Sequence, residues 1–394
     1  MHRIHHYPAK FKHFIISKSM QYAKQNGNQI RLVGDIFCGC GTTALEAKRR
    51  NIDFWGCDIN PVATLIANVK SQQYNDLRLK KYYEAITEKF TDGKSTFPLE
   101  SETNKRILYW FNSKQICDLQ NLLSSIHQVV PKGKYRNFFL VGFSNILKCT
   151  SMWLAKSIKP QKDPTKVPRD VFSAFDHQIT LMRKANKEAV NSYGSSSRTK
   201  IVTANFLKLS TKWPKLDAII TSPPYVTSYD YADLHQLSSL WLGYANDYRI
   251  LRNGSIGGKQ VQLSKSTLAE MNGLGKKTYD ELLKKDKSVA KSVAKYFVDM
   301  DLAVKNTGEM LVDNGLAFFI IGNTKYRSVE VNNAKYIAEC MIKHNFKEIS
   351  VIKRKISSKI LTPFRDERGK FSSSKNQKEV YSYEYVIIGK KGAA

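Results

Sequence analysis

Residues 33–43 read VGDIFCGCGTT, and this stretch decides the fold class. Its first five residues form an apolar run typical of a buried strand, and the glycines that follow predict a tight turn before a helix over residues 44–50. Glycine suits such a turn because it reaches backbone torsions, and permits a close ligand approach, that a side chain would prevent. A second apolar run, residues 52–57, ends at Asp58.

This order of strand, glycine turn, helix, strand and acid is typical of a nucleoside-binding α/β unit. The start of a helix offers free N–H groups, and an acid at the tip of the second strand can accept hydrogen bonds from ribose hydroxyls. The dinucleotide fingerprint G-x-G-x-x-G is incomplete, because Ala44 stands where its third glycine would fall. The pattern therefore favours a nucleoside ligand smaller than NAD.

A second motif lies far downstream, where residues 221–225 read TSPPY directly after the apolar run 216–220. Two consecutive prolines prevent both ladder pairing and helix entry, so the backbone stays extended at the carboxyl end of a strand. Open α/β sheets bind ligands at that end. The motif offers a hydroxyl, carbonyl acceptors and an aromatic face, which are the groups that an extrahelical nucleobase needs. A proline-stiffened loop around a buried tyrosine is the alternative explanation.

Together the two motifs resemble those of the amino-group DNA methyltransferases that use S-adenosylmethionine. Serine before the two prolines is most typical of the cytosine-N4 enzymes. The family's glycine motif, D-P-F-x-G-x-G-T, is matched by residues 35–42 except at Ile36. Residues 58–61, DINP, resemble the ribose-binding strand end, and residues 6–11, HYPAKF, resemble the segment that closes over the methionine end of the cofactor.

The resemblance covers residues 1–70 and 200–390 well. Residues 202–206, VTANF, are similar to the element that contacts adenine, although Asn205 replaces the commoner aspartate. Residues 231–243 are similar to the stretch that follows the catalytic motif in one bacterial subgroup.

The resemblance implies a site for S-adenosyl-L-methionine and a catalytic tetrapeptide. The catalytic residues are Ser222, Pro223, Pro224 and Tyr225. The residues expected to bind the cofactor are Tyr7, Phe11, Asp35, Phe37, Cys38, Gly39, Gly41, Thr42, Asp58, Ile59, Asn205, Phe206 and Thr221. The expected reaction is methyl transfer to the N4 amine of a flipped-out cytosine in double-stranded DNA. Adenine-N6 methylation, an RNA amino-methyltransferase and a catalytically inactive DNA-binding subunit stay open as alternatives.

The predicted fold class is α/β, with a Rossmann-like class I methyltransferase sheet and a mainly helical insertion. The sheet is expected to be mostly parallel, with one antiparallel strand near the C-terminus. We predict a cofactor-binding half over 1–74, a helical insertion and candidate DNA-recognition region over 75–200, and a catalytic half over 201–394 with a basic loop at 245–295. Apolar residues between 108 and 126 recur at helical spacing, which predicts that they form a core of the insertion.

The charge balance indicates a polyanionic partner. The 394 residues include 63 lysines and arginines against 34 acids, a formal net charge of +29. The expected partner is double-stranded DNA, and the resemblance adds a cognate restriction endonuclease. The residues expected to contact DNA are Lys156, Lys159, Lys162, Lys259 and Arg365. No apolar stretch of membrane-spanning length and no signal-like start occur, so a cytoplasmic protein without a membrane partner is expected.

Two clusters could suggest a metal site, and we interpret neither in that way. Histidines near a chain terminus, here His2, His5, His6 and His13, are commonly just solvated. Cys38 and Cys40 flank a glycine in the tight turn and are expected to pack beside the cofactor. The six cysteines show no C-x-x-C spacing, which favours reduced thiols and no bound metal.

Overall fold

The structure is a computed structural model of the chain. It describes residues 1–7, 12–93, 101–190, 193, 196–226, 230–258, 268, 271, 273–326, 328–356, 364–365, 371–372, 378–379 and 383–393. The predicted site residues Phe11 and Lys259 lie outside these residues, as does the side chain of Arg365.

The helices divide into a group before residue 191 and a group after residue 230. The α-helices span His13–Gln25, Thr42–Arg49, Pro61–Lys70, Asp76–Thr91, Ser101–Trp110, Ser113–Val129, Lys134–Ile146, Val171–Val190, Tyr231–Leu234, Gln236–Trp241, Gly273–Leu283, Lys287–Met310 and Asn333–Lys343, with a 3-10 helix at Tyr248–Arg252. Within the described part of the chain, no helix combines the length and the apolar character that crossing a membrane requires.

The strands form one large sheet and two small ones. In chain order they are β1 Leu32–Asp35, β2 Asp53–Asp58, β3 Thr199–Thr203, β4 Leu216–Thr221, β5 Leu311–Ile321, β6 Thr324–Tyr326, β7 Val329–Val331, β8 Phe346–Lys355, β9 Phe364–Arg365, β10 Phe371–Ser372, β11 Lys378–Glu379 and β12 Tyr383–Lys391. The large sheet has the order β3-β2-β1-β4-β5-β12-β8. β6 pairs with β7, and β9 lies between β10 and β11.

The strand directions confirm the predicted fold class. β1 and β4 are parallel, with Val33 opposite Ala218, and β4 and β5 are also parallel. β12 is antiparallel to both β5 and β8. Apolar side chains cover both faces of β4 and β5, as parallel strands between helical layers require. This is the mostly parallel, Rossmann-like sheet that was predicted, with one reversed strand near the C-terminus.

The chain forms two compact units, each built from separate segments. The first unit comprises Met1–His13, Cys38–Ala204 and Tyr229–Asn253, and the second comprises Phe14–Phe37, Asn205–Ser228 and Gly254–Ala394. The predicted halves and insertion, by contrast, are continuous segments. They describe functional roles, and they stay a prediction.

The first unit contains the helices of the predicted insertion. Trp110 and Trp153 are buried and stack with their ring centroids 5.0 Å apart, and Phe111 meets the buried Trp241 edge to face at 5.7 Å. Leu108 and Tyr109 were expected in this core, but they are 58% and 44% exposed. They lie on the outer side of the helix Ser101–Trp110, a side that apolar spacing alone did not identify.

The second unit is centred on the apolar strands of the large sheet. The helices Lys287–Met310 and Asn333–Lys343 pack together through Phe297 and Tyr336, whose rings stack at 4.1 Å. Asp286 caps the first of these helices, because its carboxylate accepts the amides of Ser288 and Val289. The helix therefore begins at Lys287.

Candidate functional site

A tight turn connects Cys38 to the helix Thr42–Arg49. The amide of Gly41 donates to the carbonyl of Cys38 at 2.8 Å. Gly39 and Gly41 have left-handed backbone conformations, with φ of 46° and 77°. A Cβ on Gly41 would lie 2.8 Å from the Cβ of Ala67 on the next helix. Position 41 therefore requires glycine both for its torsion and for the close approach of that helix.

The start of the helix Thr42–Arg49 presents backbone rather than side chains. Its N-cap residue is Gly41, so no side chain caps its first amides. The side chains of Cys38, Cys40 and Thr42 are buried. Uncapped amides at a helix start interact well with electronegative ligand atoms. A cofactor role for Cys38, Gly39, Gly41 and Thr42 would thus be carried by their backbone, and it stays a prediction.

The carboxylate of Asp58 is fixed at the end of β2 by two backbone amides. One oxygen accepts from Gly39 at 2.8 Å and the other from Asn60 at 2.9 Å. Burial raises the pKa of Asp58, and the two amide hydrogen bonds oppose that rise. Each oxygen of a carboxylate has a second lone pair, so both can still accept from a ligand hydroxyl. The predicted Ile59 follows and is half-buried.

Asn60 links the end of β2 to two aromatic residues. Its Oδ1 caps the next helix by accepting the amide of Val62 at 2.9 Å, and its Nδ2 lies 2.7 Å from Nδ1 of His235. The ring of Tyr7 stacks on His235, with centroids 4.9 Å apart. We call Tyr7, Gly39, Asp58, Asn60 and His235 the glycine-turn cluster. All five residues lie in the first unit.

Tyr7 belongs to the segment predicted to close over the cofactor. Its hydroxyl is the atom nearest to a Cβ built on Gly39, at 3.5 Å. Burial, together with the Asp58 carboxylate, raises the pKa of Tyr7 well above its ordinary value. The phenol therefore stays protonated at neutral pH. The structure places Tyr7 beside the turn, while its contact with a cofactor stays a prediction.

In the second unit, a buried hydrogen bond joins the ends of β1 and β4. The hydroxyl of Thr221 donates to Asp35 Oδ1 at 2.6 Å, and the amide of Phe37 donates to the same oxygen at 3.2 Å. Neither Asp35 nor Thr221 has any exposed surface. Both were predicted to bind the cofactor, but their side chains bond each other. The arrangement supports a positioning role for this pair.

The catalytic motif continues directly from Thr221. The hydroxyl of Ser222 donates to the carbonyl of Ile320 at 3.0 Å. The ring of Tyr225 lies against Gly322, where an added Cβ would approach the ring edge to 3.1 Å. Ser222 and Tyr225 both remain partly exposed. We call Asp35, Thr221, Ser222 and Tyr225 the strand-end cluster.

The predicted residues Phe37, Asn205 and Phe206 also lie in the second unit. Phe37 and Phe206 meet edge to face with their centroids 6.3 Å apart, and Phe206 stacks on Trp213 at 6.0 Å. Asn205 Oδ1 accepts the amide of Leu207 at 3.0 Å, which stabilises the loop after β3. The structure thus brings Phe37 and Phe206 together, as a shared role at one ligand would require.

Three of the predicted DNA-contacting lysines lie on one loop of the first unit. The loop folds back on itself, because Leu154 donates to Gln161 at 2.8 Å and Asp163 donates to Met152 at 2.8 Å. Its base is held by Lys166, whose ammonium donates to the carbonyls of Lys148 and Trp153 at 2.8 and 2.7 Å. The exposed lysines on this loop are Lys156, Lys159 and Lys162.

Tyr109 adds an aromatic face next to this lysine loop. The ammonium of Lys162 lies 4.8 Å from the centroid of the Tyr109 ring, and the guanidinium of Arg106 lies 4.9 Å from the same centroid. The exposed Lys162 beside an exposed aromatic ring suits contact with a nucleic-acid strand, while Arg106 is half-buried. Helical spacing predicted a core position for Tyr109, so its exposed ring beside Lys162 was not expected from the sequence.

Sequence analysis also missed two members of the glycine-turn cluster. Asn60 carries a local signal, because asparagine directly before a proline is typical of a helix N-cap. His235 carries no such signal, since its contact with Asn60 joins residues 175 positions apart.

Two of the four histidines declined as metal ligands, His2 and His13, lie beside Glu46 in the structure. His2 Nε2 lies 2.9 Å from Glu46 Oε1, and the rings of His2 and His13 stack at 5.2 Å. Ligand atoms of these three residues lie within 4.8 Å of one another. Glu46 Oε2, however, also pairs with Arg50 at 2.7 Å. That guanidinium already neutralises the carboxylate and would oppose a bound cation, so the group carries no argument for a metal.

Comparison with known proteins finds type II methyltransferases that are similar to this chain. No protein-family model matches the chain. The chain is 24% identical over 389 residues to the type II methyltransferase M.MvaI of Kocuria varians, which covers 91% of this chain and 84% of that protein. It is 26% identical over 242 residues to the type II methyltransferase M.BsoBI of Geobacillus stearothermophilus, covering 53% of this chain and 46% of that protein.

A solved structure is also similar to the chain. It is the magnesium protoporphyrin IX methyltransferase of Synechocystis PCC 6803 with bound SAH, at 7% identity and a TM-score of 0.35, covering 96% of this chain and 83% of that one.

Proposed function

We propose that this chain is a site-specific DNA methyltransferase that transfers a methyl group from S-adenosyl-L-methionine to the N4 amine of a flipped-out cytosine. The observation that carries the proposal is the 3.0 Å hydrogen bond from Ser222 to the carbonyl of Ile320. The hydroxyl proton of Ser222 is already engaged in this hydrogen bond. Its oxygen is therefore expected to accept a hydrogen bond from a substrate. An exocyclic amine, which has two N–H donors, is the nucleobase group that such an oxygen suits.

The similarity to M.MvaI over 91% of the chain supports methyl transfer as the reaction. The formal net charge of +29 supports a nucleic acid as the substrate, because solubility alone does not need so large an excess. The lysine loop and Tyr109 offer a surface for its phosphates and bases. We also propose a cognate restriction endonuclease as a partner, because both relatives are named type II methyltransferases.

The glycine-turn cluster fits an adenosyl cofactor. Asp58 is held by two amides and keeps a free lone pair on each oxygen for the ribose hydroxyls. The turn has no side chain at 39 or 41, which allows a ligand to approach its backbone closely. When bound, S-adenosylmethionine would supply a methyl group activated by a sulfonium.

The amino nitrogen of cytosine is a weak nucleophile, because its lone pair is delocalised into the ring. We propose that Ser222 Oγ and the carbonyl of Pro223 accept its two N–H groups and draw the nitrogen toward tetrahedral geometry. The lone pair would then form the new N–C bond to the methyl group as the bond between that methyl and the sulfonium sulfur breaks, with the thioether as the leaving group. The two acceptors would stabilise the positive charge that develops on nitrogen. One N–H proton leaves afterwards, which gives a neutral methylated base.

Tyr225 has a different role in this proposal. Its ring would stack on the flipped base, a contact that contributes about 1–3 kcal/mol in comparable base–aromatic pairs. Pro224 keeps the backbone extended so that Ser222 and Tyr225 act on the same base. No covalent intermediate is required. Cytosine-C5 methylation, by contrast, needs a cysteine after a proline, and the sequence contains no such pair.

Product analysis tests the proposal directly. DNA of mixed sequence is incubated with the protein and S-adenosylmethionine and digested to nucleosides for mass spectrometry. We expect N4-methylcytosine with the wild type and none with the Ser222→Ala, Tyr225→Ala double variant. N6-methyladenine would overturn the choice of base, and methylation of RNA alone would overturn DNA as the substrate. Full activity of the double variant would overturn the catalytic assignment.

A further inference from the structure

The two ring nitrogens of His235 have different environments. The residue is 5% exposed, and its Nδ1 lies 2.7 Å from Nδ2 of Asn60. Its Nε2 is buried and has no hydrogen-bond partner among the described residues. Buried polar atoms are nearly always paired, because an unmet donor loses its hydrogen bonds to water and gains none in return. The described residues therefore leave this nitrogen available to a bound ligand.

The capping contact of Asn60 fixes which nitrogen of His235 carries the proton. Asn60 Oδ1 accepts the amide of Val62, so its amide NH₂ faces the histidine and donates to Nδ1. Burial lowers the pKa of His235 to about 4, although a hydrogen bond to the Tyr231 backbone favours the charged ring, and the ring is neutral at pH 7. A neutral ring with Nδ1 as acceptor carries its proton on Nε2. The unpaired atom is thus a donor and needs an acceptor.

The position of this donor relates it to the proposed cofactor. His235 stacks on Tyr7, and the Tyr7 hydroxyl lies next to Gly39 in the tight turn. Asp58 also bonds the Gly39 amide and is assigned to the ribose. A ligand whose ribose lies at Asp58 and which follows the glycine turn would have its methionine end beside Tyr7 and His235. Of the two charged groups at that end, the ammonium only donates, whereas the carboxylate accepts.

We propose that the Nε2–H group of His235 binds the methionine carboxylate of S-adenosylmethionine. Asn60 positions the ring and Tyr7 covers it. This inference rests on the proposed function. It adds a cofactor contact made by His235, in the segment that follows the catalytic motif.

Two variants distinguish the loss of the Nε2–H donor from a general loss of folding. An asparagine side chain reaches the place of Nδ1 but not that of Nε2, so His235→Asn keeps a partner for Asn60 and removes the donor. Glutamine reaches the place of Nε2, so His235→Gln restores an N–H donor there. Calorimetry measures the binding of S-adenosylmethionine and of decarboxylated S-adenosylmethionine, which lacks only the carboxylate. Thermal unfolding confirms that each variant is folded.

We expect the wild type to prefer the complete cofactor. In His235→Asn this preference should fall by about tenfold or more, as loss of a hydrogen bond to a charged group implies. Affinity for the decarboxylated analogue should change by less than about twofold, and His235→Gln should keep most of the preference. A wild-type preference in His235→Asn would overturn the inference and leave an ordered water as the partner of Nε2. A wild type that binds neither compound would instead overturn the proposed cofactor.

Discussion

The hydroxyl of Thr221 donates a hydrogen bond to the carboxylate of Asp35 at 2.6 Å, and both side chains are fully buried. Asp35 ends β1 and Thr221 ends β4, which are parallel neighbours in the sheet. Asp35 also accepts the amide of Phe37. The hydrogen bond therefore fixes the chain immediately before the glycine turn and immediately before Ser222. Two motifs that are distant in sequence thus begin from one bonded pair.

Replacing Thr221 tests how far this pair stabilises the second unit. In Thr221→Val, a buried carboxylate loses a donor, and we expect the free energy of unfolding to fall by about 1–3 kcal/mol. Thr221→Ser keeps the hydroxyl and removes one methyl group, so it should cost only about 1 kcal/mol. Denaturant unfolding measures both. Equal stability of the valine and serine variants would show that the bond contributes little.

Asp58 tests the ribose assignment. In Asp58→Ala, the loss of hydrogen bonds to a charged acceptor, about 1.5–3 kcal/mol, should weaken S-adenosylmethionine binding by about tenfold or more. DNA affinity should change little. Asp53→Ala is the matched control, because Asp53 begins the same strand and pairs with Arg198. Calorimetry that finds equal cofactor affinity in both variants would remove Asp58 from the site.

Gly41 and Gly27 form a natural pair for testing the glycine turn. Their φ angles are 77° and 76°, but a Cβ on Gly41 would meet Ala67 at 2.8 Å, whereas a Cβ on Gly27 would meet nothing within 4 Å. Both alanine variants carry the same torsional strain, about 1–2 kcal/mol. Gly41→Ala should additionally lose stability and cofactor affinity through overlap with the next helix. Equal melting temperatures for the two variants would contradict the close approach.

The lysine loop tests the DNA surface. Replacing Lys156, Lys159 and Lys162 with glutamine should weaken binding to all DNA sequences. The slope of log affinity against log salt should fall by about one unit for each lost phosphate contact. The same change of charge at the exposed residues Lys18, Lys24 and Lys347 serves as the control. If both triple variants show the same slope, the DNA surface lies elsewhere.

The local parts of this account could be predicted from the sequence. Apolar runs and the two glycines predicted β1, the turn, the following helix and β2, because each depends on neighbouring residues. The proline pair at 223–224 marked a strand end. The lone antiparallel strand followed from resemblance to a family, since composition and spacing do not determine strand direction.

The contacts that build the clusters could not be predicted in this way. The bond from Ser222 to Ile320 joins residues 98 positions apart, and that from Thr221 to Asp35 spans 186 positions. Such pairs depend on the register of β1, β4 and β5, and that register is established by tertiary packing rather than by neighbouring residues. Tyr109 shows that local spacing can also mislead, because it predicted a core position for a side chain that the packing leaves exposed.

The most direct test of the central claim is the rate of methyl transfer by Ser222→Ala in a single turnover. Cofactor and DNA are bound to saturation, and their affinities are measured separately. We predict near-normal binding and a transfer rate about 10- to 100-fold lower, because a hydrogen bond to a developing charge contributes about 1.5–3 kcal/mol. Ser222→Thr, which keeps the hydroxyl, should recover part of the rate. A wild-type transfer rate in Ser222→Ala would contradict the assignment of this oxygen as the acceptor for the target amine.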